Sequence, residues 1–143
     1  AARKADLPYR TPYELLTMAS LIEKETSSDA DRGMVASVFV NRLKKGMRLQ
    51  TDPSVIYGMG ASYQGNIGKA DLRRDTPYNT YTRAGLTPTP ISLPGKAALY
   101  AAAQPAESDA LYFVARGDGS SQFSSTLEQH NQAVRKYILK KGQ

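Results

Sequence analysis

The stretch TPYELLTMASLIEKET, residues 11–26, carries the start, the period and the end of one element. Thr11 offers a capping oxygen, Pro12 has a φ already suited to the first helical turn, and Glu14 completes a T-x-x-E capping box. At about 100° per residue, Leu15, Met18, Ala19, Leu21 and Ile22 fall on one side. The spacing therefore predicts an amphipathic helix that packs its apolar stripe inward and ends near Thr26.

Two glutamates close this helix, and the same wheel separates them. Glu25 lies three after Ile22, four after Leu21 and seven after Met18, so it points with the apolar side. Glu23 falls off that side and Lys24 nearly opposite it, so both are expected to meet water. A carboxyl against an apolar wall loses hydration of its charged form; its pKa rises, and it can keep a proton near neutral pH as a general acid must. The wheel leaves a second reading open, in which Glu25 sits on a frayed, solvated helix end.

Outward from this helix, DADRGMVASVFVNRLKKG, residues 29–46, has acids at its start, Val35, Val38, Phe39 and Leu43 on one stripe, bases at its end and Gly46 as a stop. It reads as a second helix. Asp52-Pro53 opens a short helical turn that Gly58 and Gly60 break. Residues 61–94, rich in Gly, Pro, Asn, Tyr and Thr, lack a sustained period, and so long a loop in a compact domain tends to be functional. A helix is expected between Pro94 and Pro105, a hairpin around Gly117-Asp118-Gly119, and a last helix over 125–141 capped from Ser125 or Thr126. The fold class is α+β, one helix-rich domain with a small antiparallel sheet. The start of the chain, without Met, reads as a linker over 1–10 from a longer protein, leaving 11–143 as the functional domain.

Composition narrows the chemistry. The 143 residues include 41% apolar side chains, enough for one core, and no run approaches the ~20 apolar residues of a membrane span. The net charge of +6 favours an anionic partner, although the basic residues come in scattered pairs such as Lys44-Lys45 and Arg73-Arg74. There is no cysteine, hence no disulfide or thiol chemistry, and His130 is the single histidine, too few for a zinc site. His130 is expected on the polar side of the last helix rather than as a base. Neither G-x-S-x-G nor a P-loop occurs, and no cofactor or metal is implied. The nine tyrosines, lacking a dense basic stripe between them, suit sugar faces better than nucleic-acid bases.

Five segments in order, ASLIEKET (19–26), VASVFVNRLKKGMRLQTDPSVIYGMG (35–60), YNTYTRAGLTPTPIS (78–92), ALYFVA (110–115) and HNQAVRKY (130–137), resemble the YceG-like endolytic peptidoglycan transglycosylases. The resemblance implies a catalytic domain at the periplasmic face of the bacterial inner membrane, reached through an upstream membrane helix. Its substrate would be peptidoglycan glycan strands, cut between N-acetylmuramic acid and N-acetylglucosamine with a 1,6-anhydro product, in company with peptidoglycan synthases and without nucleic acid. By analogy with lysozyme-like enzymes, whose catalytic Glu precedes a small hydroxyl residue, it selects Glu25, followed by Thr26, as the catalytic acid. Gln50 in RLQ and Tyr78-Asn79 are similar in setting to a glutamine and a Tyr-Asn pair of those enzymes. Thr26, Gln50, Asp52, Tyr78, Asn79 and Tyr81 are thus the residues expected to orient Glu25 and hold sugars. Leu93 and Ser121 depart from the family pattern, which usually has Asn and His there, so no substrate role is carried onto them. A lytic transglycosylase needs one carboxyl where most glycosidases pair two, because the muramic C6 hydroxyl supplies the nucleophile. The rival readings are a hydrolytic muramidase with Asp52 as second carboxylate, a glycan-binding module without turnover, and a nucleic-acid binder.

Overall fold

A computed structural model describes residues 6–139. In chain order these form helices α1 (Pro12–Glu25), α2 (Asp29–Lys45), α3 (Asp52–Met59), α4 (Lys69–Arg73) and α5 (Lys96–Ala103), then strands β1 (Tyr112–Ala115) and β2 (Ser121–Ser124), and helix α6 (Leu127–Val134). The strands pair antiparallel, with Phe113 opposite Phe123. The architecture is the expected α+β.

Local signals act where the sequence puts them. Thr11 Oγ1 accepts the Glu14 amide at 3.2 Å, but the Glu14 carboxylate reaches back past the cap to the Arg10 amide at 2.7 Å. Helix α2 starts on Ser28, whose Oγ accepts the Asp31 amide at 3.3 Å, and ends at Gly46 with φ 74°. That left-handed backbone favours glycine because it has no Cβ to clash.

The core lies where α1, α2 and α5 meet. Met18, Ala19, Leu21 and Ile22 of α1 bury fully against Val35, Ala36 and Phe39 of α2 and the alanine face Ala98, Ala101, Ala102 of α5. Small side chains on α5 let its backbone approach α1 closely, while each large apolar side chain contributes roughly 1.5–3 kcal/mol on burial. Phe39 meets Phe113 edge-on at 6.1 Å, and Phe113 meets Phe123 at 5.9 Å, which docks the hairpin on α2. Asn41 Nδ2 donates to Ser108 O and Ala110 O, both at 2.9 Å, and so ties the lead-in to β1 to the same helix.

Several expectations change. Residues 7–10 are not linker: Leu7 packs on the core, and Tyr9 is buried with its hydroxyl donating to Ala102 O at 3.0 Å. Residues 1–5 lie outside the described residues. Glu23 does not simply face water; its Oε1 accepts the Gly95 amide at 2.7 Å, placing a negative charge at the start of α5. Helix α5 accordingly begins after Gly95, not at Pro94. The last helix starts on Thr126, whose Oγ1 accepts the Gln129 amide at 3.1 Å, and widens to π geometry over Arg135–Leu139.

The long segment 61–94 is ordered by side-chain bonds to backbone in place of periodic packing. It leaves the helical turn Gly60–Ser62 and contains the short α4. Asn79 is 1% exposed; its Nδ2 donates to Leu72 O and Arg74 O, and its Oδ1 accepts the Tyr81 and Thr82 amides. Thr80 Oγ1 accepts the Thr51 amide at 2.8 Å, and the Gln50 amide donates to Thr80 O at 3.2 Å. Two stretches far apart in sequence are thereby held side by side.

Candidate active site

A cavity of about 310 Å³ opens where these elements converge. Helix α1 brings Glu25, α2 brings Val38 and Arg42, the α2–α3 connection brings Leu49 and Gln50, α3 brings Asp52, the stitched loop brings Tyr81, β1 brings Phe113 and α6 brings His130.

Glu25 is the last residue of α1, half-buried, with Oε2 shut away from solvent and unpaired. Val38, Leu49 and Phe113 supply apolar wall around the cavity. Burial pushes the Glu25 pKa up from 4.5 to about 7, and the charge of Asp52 adds to the rise. The carboxyl thus holds its proton far above the ordinary carboxylate range, and among the described residues Oε2 has no partner to receive it.

Around it the other polar groups are clamped. Tyr81 OH donates to Asp52 Oδ1 at 2.5 Å; burial and then this bond hold the phenol well above its ordinary pKa, so it remains a donor. Arg42 is buried, donating from Nε to Leu111 O at 2.6 Å and from Nη1 to Arg48 O at 2.8 Å and to Gln50 Oε1 at 3.3 Å. With its carbonyl oxygen turned toward Arg42, the Gln50 amide keeps its NH2 for a ligand. Gln50 has φ 55°, a left-handed backbone in a residue with a Cβ, and such strain gathers at functional sites. His130 stacks on Tyr112 at 5.0 Å and 21°, and its Nδ1 is buried without a partner. Burial, then the Arg42 charge, lowers its pKa, so the imidazole is neutral at pH 7.

Of the residues singled out in the sequence, Glu25, Gln50, Asp52 and Tyr81 line this cavity together. Thr26, Tyr78 and Asn79 do not. Thr26 caps α1 and its Oγ1 accepts the Ser28 amide at 3.0 Å, shaping the turn into α2. The Tyr78 hydroxyl bonds Thr89 Oγ1 at 2.8 Å and its ring leans on Tyr57, while all the bonding capacity of the Asn79 amide is taken by backbone. These two fix the loop that presents Tyr81. Leu93, 94% exposed, and Ser121 on β2 lie outside the cavity walls. Arg42 and His130 were missed as site residues, and His130 is a cavity wall, not a surface group. The signals were present: Arg42 is four after Val38 and seven after Val35 on the buried stripe, and His130 is three before buried Ala133.

The family model for the YceG-like family matches residues 1–136. The chain belongs to that family. Among its relatives, the endolytic murein transglycosylase of Bacillus subtilis (strain 168) is 50% identical over 131 residues. That of Streptococcus pneumoniae serotype 2 (strain D39 / NCTC 7466) is 38% identical over 137 residues. Each match takes in 92% of this chain but only 36% of the Bacillus protein and 25% of the pneumococcal one, so the YceG-like chain spans about a third or less of their lengths. Its fold is similar to the 2.6 Å crystal structure of a yceG-like protein from Listeria monocytogenes, with TM-score 0.76 and 50% identity, over 84% of this chain and 38% of that one.

Proposed function

We propose that this chain carries the catalytic centre of an endolytic murein transglycosylase, formed by residues from Leu7 onward. It cleaves the β-1,4 bond between N-acetylmuramic acid and N-acetylglucosamine within peptidoglycan strands without consuming water. The observation that carries the reading is the Glu25 carboxyl, its pKa raised to about 7, unpaired at Oε2 and facing a polar cavity whose other carboxylate, Asp52, is engaged by Tyr81. The names of the relatives support the substrate class.

In the first half of the reaction Glu25 gives its proton to the glycosidic oxygen as the C1–O bond breaks, and the leaving sugar departs with a free hydroxyl. The oxocarbenium-like charge at C1 is offset by the Asp52 carboxylate, which Tyr81 holds in place. In the second half the muramic C6 oxygen bonds to C1, its proton passes to the Glu25 carboxylate, and a 1,6-anhydro end results with the acid restored. The Gln50 NH2 holds the sugar in register. Cutting inside new strands would end their growth, and on this reading the reaction belongs at the periplasmic face of the inner membrane, in company with peptidoglycan synthases.

Asp52 in the same cavity favours one second reading, a hydrolase in which it activates water. Mass spectrometry of products from defined strands separates the two. Anhydro ends, lighter by one water, are expected from the parent and none from Glu25→Gln; reducing ends from the parent would overturn the non-hydrolytic reaction.

A further inference from the structure

A second cavity, of about 510 Å³, shares Arg42 and Gln50 with the first as common wall. Its remaining walls come from the end of α2 and the residues after it (Gly46, Met47, Arg48), from Ala84, and from Tyr112 and Leu127. Its charge is opposite to that of its neighbour. The first cavity presents the carboxyls of Glu25 and Asp52; the second is lined by two guanidinium groups and no acid.

Neither guanidinium is fully used. Arg48 is exposed, and among the described residues its side chain makes no ion pair or hydrogen bond, whereas Arg32, Lys44, Arg74 and Arg83 each pair with an aspartate. Arg42 is buried to 8% exposure, lies 5.0 Å over the Tyr112 ring and spends Nε and Nη1 on the protein, while Nη2 has no hydrogen-bond partner among the described residues. Beside them Leu127, 55% exposed, offers an apolar edge, while the Tyr112 ring is already engaged by His130 and by the Arg42 guanidinium, 5.0 Å from its centroid. A ligand spanning both cavities must place a neutral linkage at Glu25 and a negative group one step along, at Arg48 and Arg42.

We propose that the second cavity is a subsite for a carboxylate-bearing sugar unit of the strand, next to the bond that is cut, with Arg48 and Arg42 Nη2 receiving the carboxylate. This rests on the glycan-cleaving reading of Glu25. In a strand where acidic groups sit on alternate sugars, such a subsite fixes which of the two kinds of glycosidic bond reaches the acid. It therefore sets register as well as affinity.

The test is binding without turnover. Dissociation constants are measured for Glu25→Gln protein with glycan strands carrying free carboxylates and with the same strands amidated to neutral form. The expected result is about tenfold tighter binding of the carboxylate strands, the size of one charge-assisted contact. Adding Arg48→Gln should bring the ratio close to one, while Arg48→Lys keeps part of it. The Arg48 side chain is exposed, so its replacement is expected to leave the fold intact, which melting of the variant checks. A preference absent in Glu25→Gln protein, or unchanged by Arg48→Gln, overturns the subsite. Cleavage by the parent protein is scored separately: an intact Arg48-dependent preference with no cleavage of either strand would overturn the proposed reaction and leave the subsite standing.

Discussion

The helical core and the cavity wall treat buried polar groups in opposite ways. In the core, Ser20 donates to Thr17 O at 2.6 Å and accepts the Ile91 amide at 3.0 Å, and the Tyr9 hydroxyl is bonded to Ala102 O. In the loop behind the cavity, Asn79 is saturated. Among the described residues, the buried side-chain atoms left without partners are Glu25 Oε2, His130 Nδ1 and Thr51 Oγ1. Glu25 and His130 line the cavity, and Thr51 stands between Gln50 and Asp52, which also line it. An unmade hydrogen bond in a buried site costs about 1–3 kcal/mol, so such groups gather where a ligand can supply what the protein withholds. Stability comes from one region, readiness for chemistry from the other.

Substitutions on the two sides should diverge. Glu25→Gln removes the transferable proton and is expected to lower strand cleavage by about 10³-fold while circular dichroism and melting show an intact fold. Cleavage within a few fold of the parent would erase the contrast. On the satisfied side, Asn79→Ala strips partners from Leu72, Arg74, Tyr81 and Thr82 together and should cost about 3 kcal/mol in denaturant unfolding.

The pH dependence sharpens the comparison. Folded, Glu25 keeps its proton up to about pH 7; unfolded, it releases it above 4.5. The folded state therefore holds the extra proton in that window, and stability falls as pH rises through it, by up to about 3 kcal/mol. Glu25→Gln should lack this slope: it should match the parent near pH 4 and exceed it at pH 8 in chemical denaturation. In the parent, kcat/KM should decline above about pH 7 as the acid ionises.

Gln50 lies on the cavity side with its backbone at φ 55°. Gln50→Gly relieves that strain and is expected to hold stability within about 1 kcal/mol of the parent, on the stabilising side, while cleavage falls about tenfold with the lost amide. Equal losses of stability and activity would show that Gln50 belongs with the core. The smallest effect is expected for Glu23→Gln, which weakens only the contact to the start of α5, leaving cleavage intact and stability within about 1 kcal/mol.

Periodicity carried the part of the molecule that it governs. The caps at Thr11 and Thr126, the stop at Gly46 and the inward aim of Glu25 were legible from residue types and spacing, because a helix wheel turns sequence distance into direction. The same wheel reaches Arg42 on α2, a cation on an otherwise apolar stripe. What the wheel does not reach is the loop. Tyr78, Asn79 and Tyr81 are neighbours in sequence, yet only Tyr81 enters the cavity, because the Asn79 side chain bonds back to Leu72 and Arg74 and turns the chain. Tyr9 escaped notice for a similar reason: a single aromatic outside any periodic element shows its anchor, Ala102 O, only in three dimensions.

The central claim is that Glu25 carries its proton into the neutral range because apolar walls and Asp52 surround it. Titration of the Glu25 side-chain carboxyl carbon by NMR tests this most directly, in the parent and in Asp52→Asn protein. The account predicts a midpoint near 7 that moves down when the Asp52 charge is removed. A midpoint at the ordinary 4.5, indifferent to Asp52, would contradict it.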